Sequence, residues 1–224
     1  TNTMYDYGAL FWFIFSCVAI LCTYDGMHIV MCALSIKYVR LQKHRQRYVV
    51  KNLIKAFYLL VLSTYATVFV VFPILIDDVW DTHAIHRLAV LYVSNDFIGL
   101  VHVGRLPLTT KIHHVVSTVL VFTCLSLDFQ TSDIAQAMLV YTYGASCAYV
   151  VNAYLGLRVI WSLPDLRKRA GSIYFTCLVL TWWWQLRWAW TLPDWGVRHF
   201  LYVACIFFIV RDDIILLRWL IEDV

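Results

Sequence analysis

The chain has 224 residues, of which 62% are hydrophobic and only 14% charged, with a formal net charge of +4. A soluble domain usually carries about 25% charged residues, so this chain lacks the polar surface to wrap a water-soluble globule. Its four prolines, eight glycines and 17% aromatics exclude disorder and collagen, and at roughly 20 apolar residues per bilayer crossing there is material for about seven spans.

The predicted fold is all-α: a polytopic membrane helix bundle in one domain over 1–224. Its apolar stretches fall at 8–36, 53–76, 88–104, 112–127, 134–157, 172–192 and 199–221. The first carries Asp25 and His28 inside its apolar run. The connector that follows, KYVRLQKHRQRYVVK at 37–51, reads as a positive cytosolic loop or an anionic-lipid contact. It is not a nucleic-acid footprint, and no nucleic-acid partner is expected. After the second span comes DDVWDTHAIH, where Asp77, Asp78, Asp81, His83 and His86 have the chemistry of metal ligands. A solvated acidic loop has the same composition, so neither a metal nor a cofactor is expected.

The third span contains Asp96 and His102. The fourth opens on His113 and His114, with Ser117 and Thr118 one turn further on. Thr142, Ser146, Tyr149 and Asn152 form a polar stripe on the fifth at helical spacing. In the same span Gly144 and Ala148 make a small-xxx-small pair suited to close helix contact. The sixth is rich in tryptophan (Trp182, Trp183, Trp184, Trp188, Trp190), which suits either a lipid-facing aromatic belt or a protein contact face. The seventh places Arg211, Asp212 and Asp213 side by side. The seven cysteines include no C-x-x-C pair and read as small hydrophobes within the helices.

Basic residues alternate between the connectors. Thirteen Lys and Arg, from Lys37 to Lys55, at Arg105 and Lys111, and from Arg158 to Arg169, gather on one side, against Arg87 and Arg198 on the other. This bias predicts an outer N-terminus and a cytosolic C-terminus.

Ionisable groups at membrane depth are the main functional pointers. Counting rise per residue from the cytosolic edge puts Asp25, Asp96 and Asp212 at roughly 13–16 Å, with His28, Arg211 and Asp213 close to the same level. They form either a polar cavity for an amphipathic substrate or a structural ion-pair network. The same count leaves His102, His113 and His114 within about 5 Å of the boundary, some 10 Å from Asp96 along the membrane normal. Imidazoles at a cytosolic mouth suit general-base chemistry.

The stretch YVSNDFIGLVHVGRLPLTTKIHHVVSTVLVF at 92–122 resembles the core of the TLC-domain family. There an Asp in one helix is followed, after a polar turn, by a His-His pair opening the next. YGASCAYVVNAYLGLRVIW at 143–161 is similar to the TLC-domain-containing branch, matching at Ser146, Asn152 and Arg158, with Gly144 where that branch has Glu. The resemblance covers about 48–221. It implies an intracellular multi-pass membrane protein, in the endoplasmic reticulum or another organelle, that binds or handles membrane lipids. In the related ceramide synthases the His pair and Asp serve N-acylation from acyl-CoA, which implies Asp96, His113 and His114 as catalytic residues if this chain is an enzyme. The other candidate cavity residues are Asp25, His28, His102, Ser117, Ser146, Tyr149, Asn152, Arg211 and Asp212. Three functions stay open: lipid binding without turnover, acyl-CoA-dependent acyl transfer, and a structural role beside other membrane subunits.

Overall fold

The computed structural model describes residues 5–104 and 106–222. Arg105, one of the thirteen basic residues counted on the predicted cytosolic side, lies outside them. The chain is all-α, with no strand among the described residues. Its elements are α1 (Tyr7–Leu34), α2 (Ile36–Val39), α3 (Lys43–Ala66), a π-helical turn (Thr67–Val71), α4 (Phe72–Asp77), α5 (Thr82–His102), α6 (Leu108–Cys124), α7 (Asp133–Cys147), α8 (Tyr149–Leu157), α9 (Pro164–Thr191) and α10 (Val197–Glu222). From α3 through α4 the helix is continuous, and α7 and α8 are divided by Ala148 alone. With α2 as a single turn in the first connector, the described residues form seven long rods.

Four of the rods are long and apolar enough to cross a membrane: Tyr7–Leu34, Lys43–Asp77, Thr82–His102 and Asp133–Leu157. That is fewer than the seven spans expected. Of the other three, α6 has only 17 residues. α9 joins a basic start to a Trp-rich second half, and α10 bears Arg211, Asp212 and Asp213 together.

Local chemistry explains the boundaries. Asp6 caps α1 by accepting from the Ala9 N–H at 3.1 Å, Asp81 caps α5 through Ala84 at 3.0 Å, and Ser132 caps α7 through Ala135 at 3.3 Å. Pro73 lacks an N–H and its ring crowds the carbonyl four residues back, and the helix widens into the π turn just before it. α4 ends on Asp78, a left-handed residue at φ 52°, a conformation that Asp tolerates better than bulkier side chains.

The rods form a ring. In order of contact, α3, α5, α6, α10, α9 and the α7–α8 rod close on one another, while α1 packs outside against α3 and α5. Hydrogen bonds gather the acidic end: the Asp6 N–H donates to the Leu125 carbonyl at 3.1 Å and the Thr82 hydroxyl to Asp128 at 2.8 Å, while His199 meets Asp133 at 3.0 Å. At the basic end the Arg158 and Arg167 guanidiniums lie 4.2 and 5.2 Å from the Trp219 ring centre. The outer surface is largely apolar, with Phe57, Leu75, Leu186, Trp190 and Phe207 among the exposed side chains. Of the Trp-rich helix, Trp183 and Trp190 point outward, whereas Trp188 is buried against Tyr202.

The first connector departs from expectation. α3 begins at Lys43, so Lys51 and Lys55 belong to a helix and are buried, not part of a solvated loop. They sit four residues apart on one face, which this rod turns inward.

Gly144 lets α7 approach α9, since a Cβ there would collide with the Thr181 hydroxyl. Gly144→Ala is expected to lower stability by about 1–3 kcal/mol through overpacking. Thr181→Ala on the same background should recover most of that loss, as read by thermal unfolding in detergent.

Candidate functional site

The ring encloses a cavity of about 370 Å³ lined from α3, α5, α6, α7, α8, α9 and α10. The polar groups in its wall, and Asp96 just behind it, fall into two adjoining sets.

The first set centres on Asp96, which is fully buried on α5. Asp96 Oδ1 accepts from the Lys55 ammonium of α3 and lies 3.3 Å from His114 Nδ1 on α6. His114 Nε2 in turn lies 3.3 Å from Lys51 Nζ. Lys51 reaches this position because α5 has Gly99 there; a Cβ would sit 2.8 Å from Lys51 Cε. Ammonium groups only donate and carboxylates only accept. A neutral His114 carrying its proton on Nδ1 suits both neighbours: Nε2 can accept from Lys51, while Nδ1 stands close to Asp96 without making a well-aligned hydrogen bond. Asp96 Oδ2 has no hydrogen-bond partner among the described residues.

The second set lies on α10. Asp213 is buried and accepts from two phenols, Tyr141 and Tyr174, the latter at 2.7 Å. Asp212 accepts from the Thr110 hydroxyl at 3.2 Å. His113 Nδ1 stands 3.5 Å from Asp212 Oδ2 and 4.0 Å from Asp213 Oδ1. On that side His113 faces two carboxylates, and the residue lines the cavity. Asn152, Tyr48 and the exposed Arg158 also line the space.

Asp96, His113, His114, Asn152 and Asp212 are thus the sequence candidates that come together. The 10 Å separation between Asp96 and the His pair is corrected: His114 lies 3.3 Å from Asp96, and a ligand atom of His113 lies within 4.8 Å of both. α6 starts at Leu108, right after Pro107, so the pair lies more than a turn inside the helix rather than at its mouth.

The other candidates lie elsewhere. Asp25 and Arg211 are exposed. His28, on the exterior of α1, meets the Tyr38 hydroxyl at 2.7 Å, and His102 packs edge-on to the Tyr24 ring at 4.6 Å. Ser117 and Ser146 donate back to the carbonyls of His113 and Tyr143 at 2.9 and 2.7 Å. Ser146 lines a separate apolar pocket of about 40 Å³, together with Thr142 and Tyr143. Tyr149 packs on the cluster around Leu59 and Val93. The expected stripe divides because the rod breaks at Ala148, so one helical period does not carry across it.

Sequence reasoning assigned no site role to Lys51, Lys55, Tyr141 or Tyr174. The i, i+4 lysines running into Leu59 were a usable signal; the tyrosines, two of fourteen, gave none.

At the acidic end, burial raises the Asp6 carboxyl, but contacts with His83, the Ala9 N–H and His86 outweigh it and hold it down to about 2. Hydrogen bonds from Thr82 and the Gln130 N–H keep Asp128 below the usual carboxylate range.

Scanned against known proteins, the chain matches no family model, no curated protein and no solved structure. The TLC resemblance therefore rests on its motifs alone.

Lys55→Met would leave the Asp96 charge buried without its cation, and a loss of about 3–5 kcal/mol is expected. Adding Asp96→Asn removes the charge as well and should restore much of the stability. Denaturant unfolding of the two variants in detergent tests the pairing.

Proposed function

We propose that the chain is a TLC-type membrane protein whose central cavity receives the polar end of an acyl lipid in an intracellular membrane. On this reading all seven rods cross the bilayer and the basic end faces the cytosol, as the Lys/Arg bias indicates. The observation that carries the proposal is the cavity itself. Cations and carboxylates line a ring whose exterior is apolar, an arrangement suited to an amphipathic ligand with its head group inside and its chain toward lipid. Arg158 and Tyr48 in the cavity lining suit an anionic or hydrogen-bonding head group.

A second reading, acyl transfer, is favoured by the contact between His113 and Asp212. An acyl thioester in the cavity would be attacked by an amine or hydroxyl whose proton passes to His113 Nε2. As the C–S bond breaks, the thiolate leaves and takes that proton back, so the imidazole ends as it began. Asp212 and Asp213 would hold the imidazole and stabilise its transient positive charge.

Native mass spectrometry of the purified chain should detect one bound acyl lipid, and Asn152→Trp, which crowds the cavity, should remove it. A wild-type chain that carries no lipid, and takes up none from vesicles, would count against the binding reading. For acyl transfer, product formed from acyl-CoA and a long-chain base should fall about 10²–10⁴-fold in His113→Ala. Absence of any His113-dependent product leaves binding without turnover.

A further inference from the structure

The acidic end holds a polar cluster that the cavity does not explain. Asp6 Oδ2, on the segment entering α1, lies 2.9 Å from His83 Nδ1 and 3.2 Å from His86 Nδ1. The two histidines are three residues apart at the start of α5, hence neighbours on one face. Of the acidic residues in the adjoining loop, Asp78 accepts from the Trp80 indole and Asp81 caps α5. The third partner thus comes from the N-terminal segment, not from the loop.

His86 is buried, and its Nε2 lies 3.0 and 3.1 Å from the carbonyl oxygens of Cys124 and Leu127. Carbonyls only accept, so Nε2 carries a proton. In the neutral ring Nδ1 is then a lone pair, and it faces a carboxylate oxygen at 3.2 Å. Two acceptors at that distance need a positive charge between them, either a second proton or a metal ion.

His83 separates these alternatives, because it brings a third donor atom to the same point. The three ligand atoms lie within 4.8 Å of one another. A tetrahedral zinc site with bonds near 2.0–2.1 Å sets its ligand atoms roughly 3.3 Å apart, close to both separations from Asp6. Metal-bound histidines commonly donate their second ring nitrogen to a backbone carbonyl, as His86 does.

We propose that Asp6, His83 and His86 bind a divalent cation of the zinc class. Water completes the coordination on the side where His83 is exposed. Bound there, the ion ties the segment before α1 to α5, and through the His86 carbonyl contacts to the α6–α7 connector. The other triad with ligand chemistry, Asp96, His113 and His114, does not suit a cation. Lys55 already holds Asp96 and Lys51 already faces His114.

The test uses the full chain in detergent, stripped with chelator and titrated with zinc sulfate. One zinc per chain and a raised unfolding temperature are expected. His83→Ala and Asp6→Asn should each weaken binding by more than about tenfold. The exposed His83 side chain contributes little packing, so His83→Ala should fold normally without metal. His113→Ala should leave the stoichiometry unchanged. Wild-type protein that binds zinc no tighter than His83→Ala would overturn the proposal, leaving Asp6 and His86 as a carboxylate–imidazolium pair. Loss of zinc in His113→Ala with retention in His83→Ala would overturn it equally.

Discussion

The constraint on which the interior turns is Asp96, a carboxylate with no exposure to solvent. Removing such a charge from water costs several kcal/mol even after relaxation, so it persists only with a cation and hydrogen bonds in close geometry. Lys55 supplies the cation from α3, and His114 supplies a ring nitrogen from α6. Three rods are thereby fixed relative to one another by one side chain on α5. Lys51 extends the arrangement, and the bare backbone at Gly99 is what lets it pass α5.

How much of this was legible in the sequence depended on which physical signal each feature leaves. Apolar runs marked all seven rods, since burial in lipid or protein demands uninterrupted hydrophobic stretches. They could not show that α3 begins at Lys43, because its first turns are as polar as a loop. Lys51 and Lys55 were therefore counted with the solvated charges, although their side chains point into the ring. Asp96 and the histidines stood out because ionisable groups are scarce in such stretches. Asp25 and Arg211 stood out for the same reason yet face outward: depth along a helix says nothing about which way a side chain points. Tyr141 and Tyr174 were invisible because a phenol in an apolar run looks like any other aromatic until its acceptor is known.

The molecule reverses the usual distribution of polarity. Its exterior carries Phe, Leu and Trp, while its cavity carries lysine, histidine and aspartate. In water that arrangement would aggregate; in a bilayer it concentrates electrostatics where the dielectric is low and partners are few. The two ends differ in kind. At the acidic end carboxylates cap helices and meet imidazoles, whereas at the basic end guanidiniums stack on Trp219 beside the cavity.

The adjacent pairs His113–His114 and Asp212–Asp213 divide their labour in the same way. Neighbouring residues on a helix point about 100° apart, so the two members of each pair meet different partners. His114 is held between Asp96 and Lys51, and Asp213 between Tyr141 and Tyr174. Asp213 has both oxygens committed to phenols, and His114 is enclosed by charged neighbours, so both serve to hold the ring together. All four line the cavity, but His113 and Asp212 are less buried and stand 3.5 Å from each other. The more buried partners keep α6 and α10 in register, and that register is what brings the imidazole of His113 close to the carboxylate of Asp212. Tight packing and exposure to the cavity are thus divided between neighbouring residues rather than separate regions, which is why replacing either member of a pair should not reproduce the effect of replacing the other.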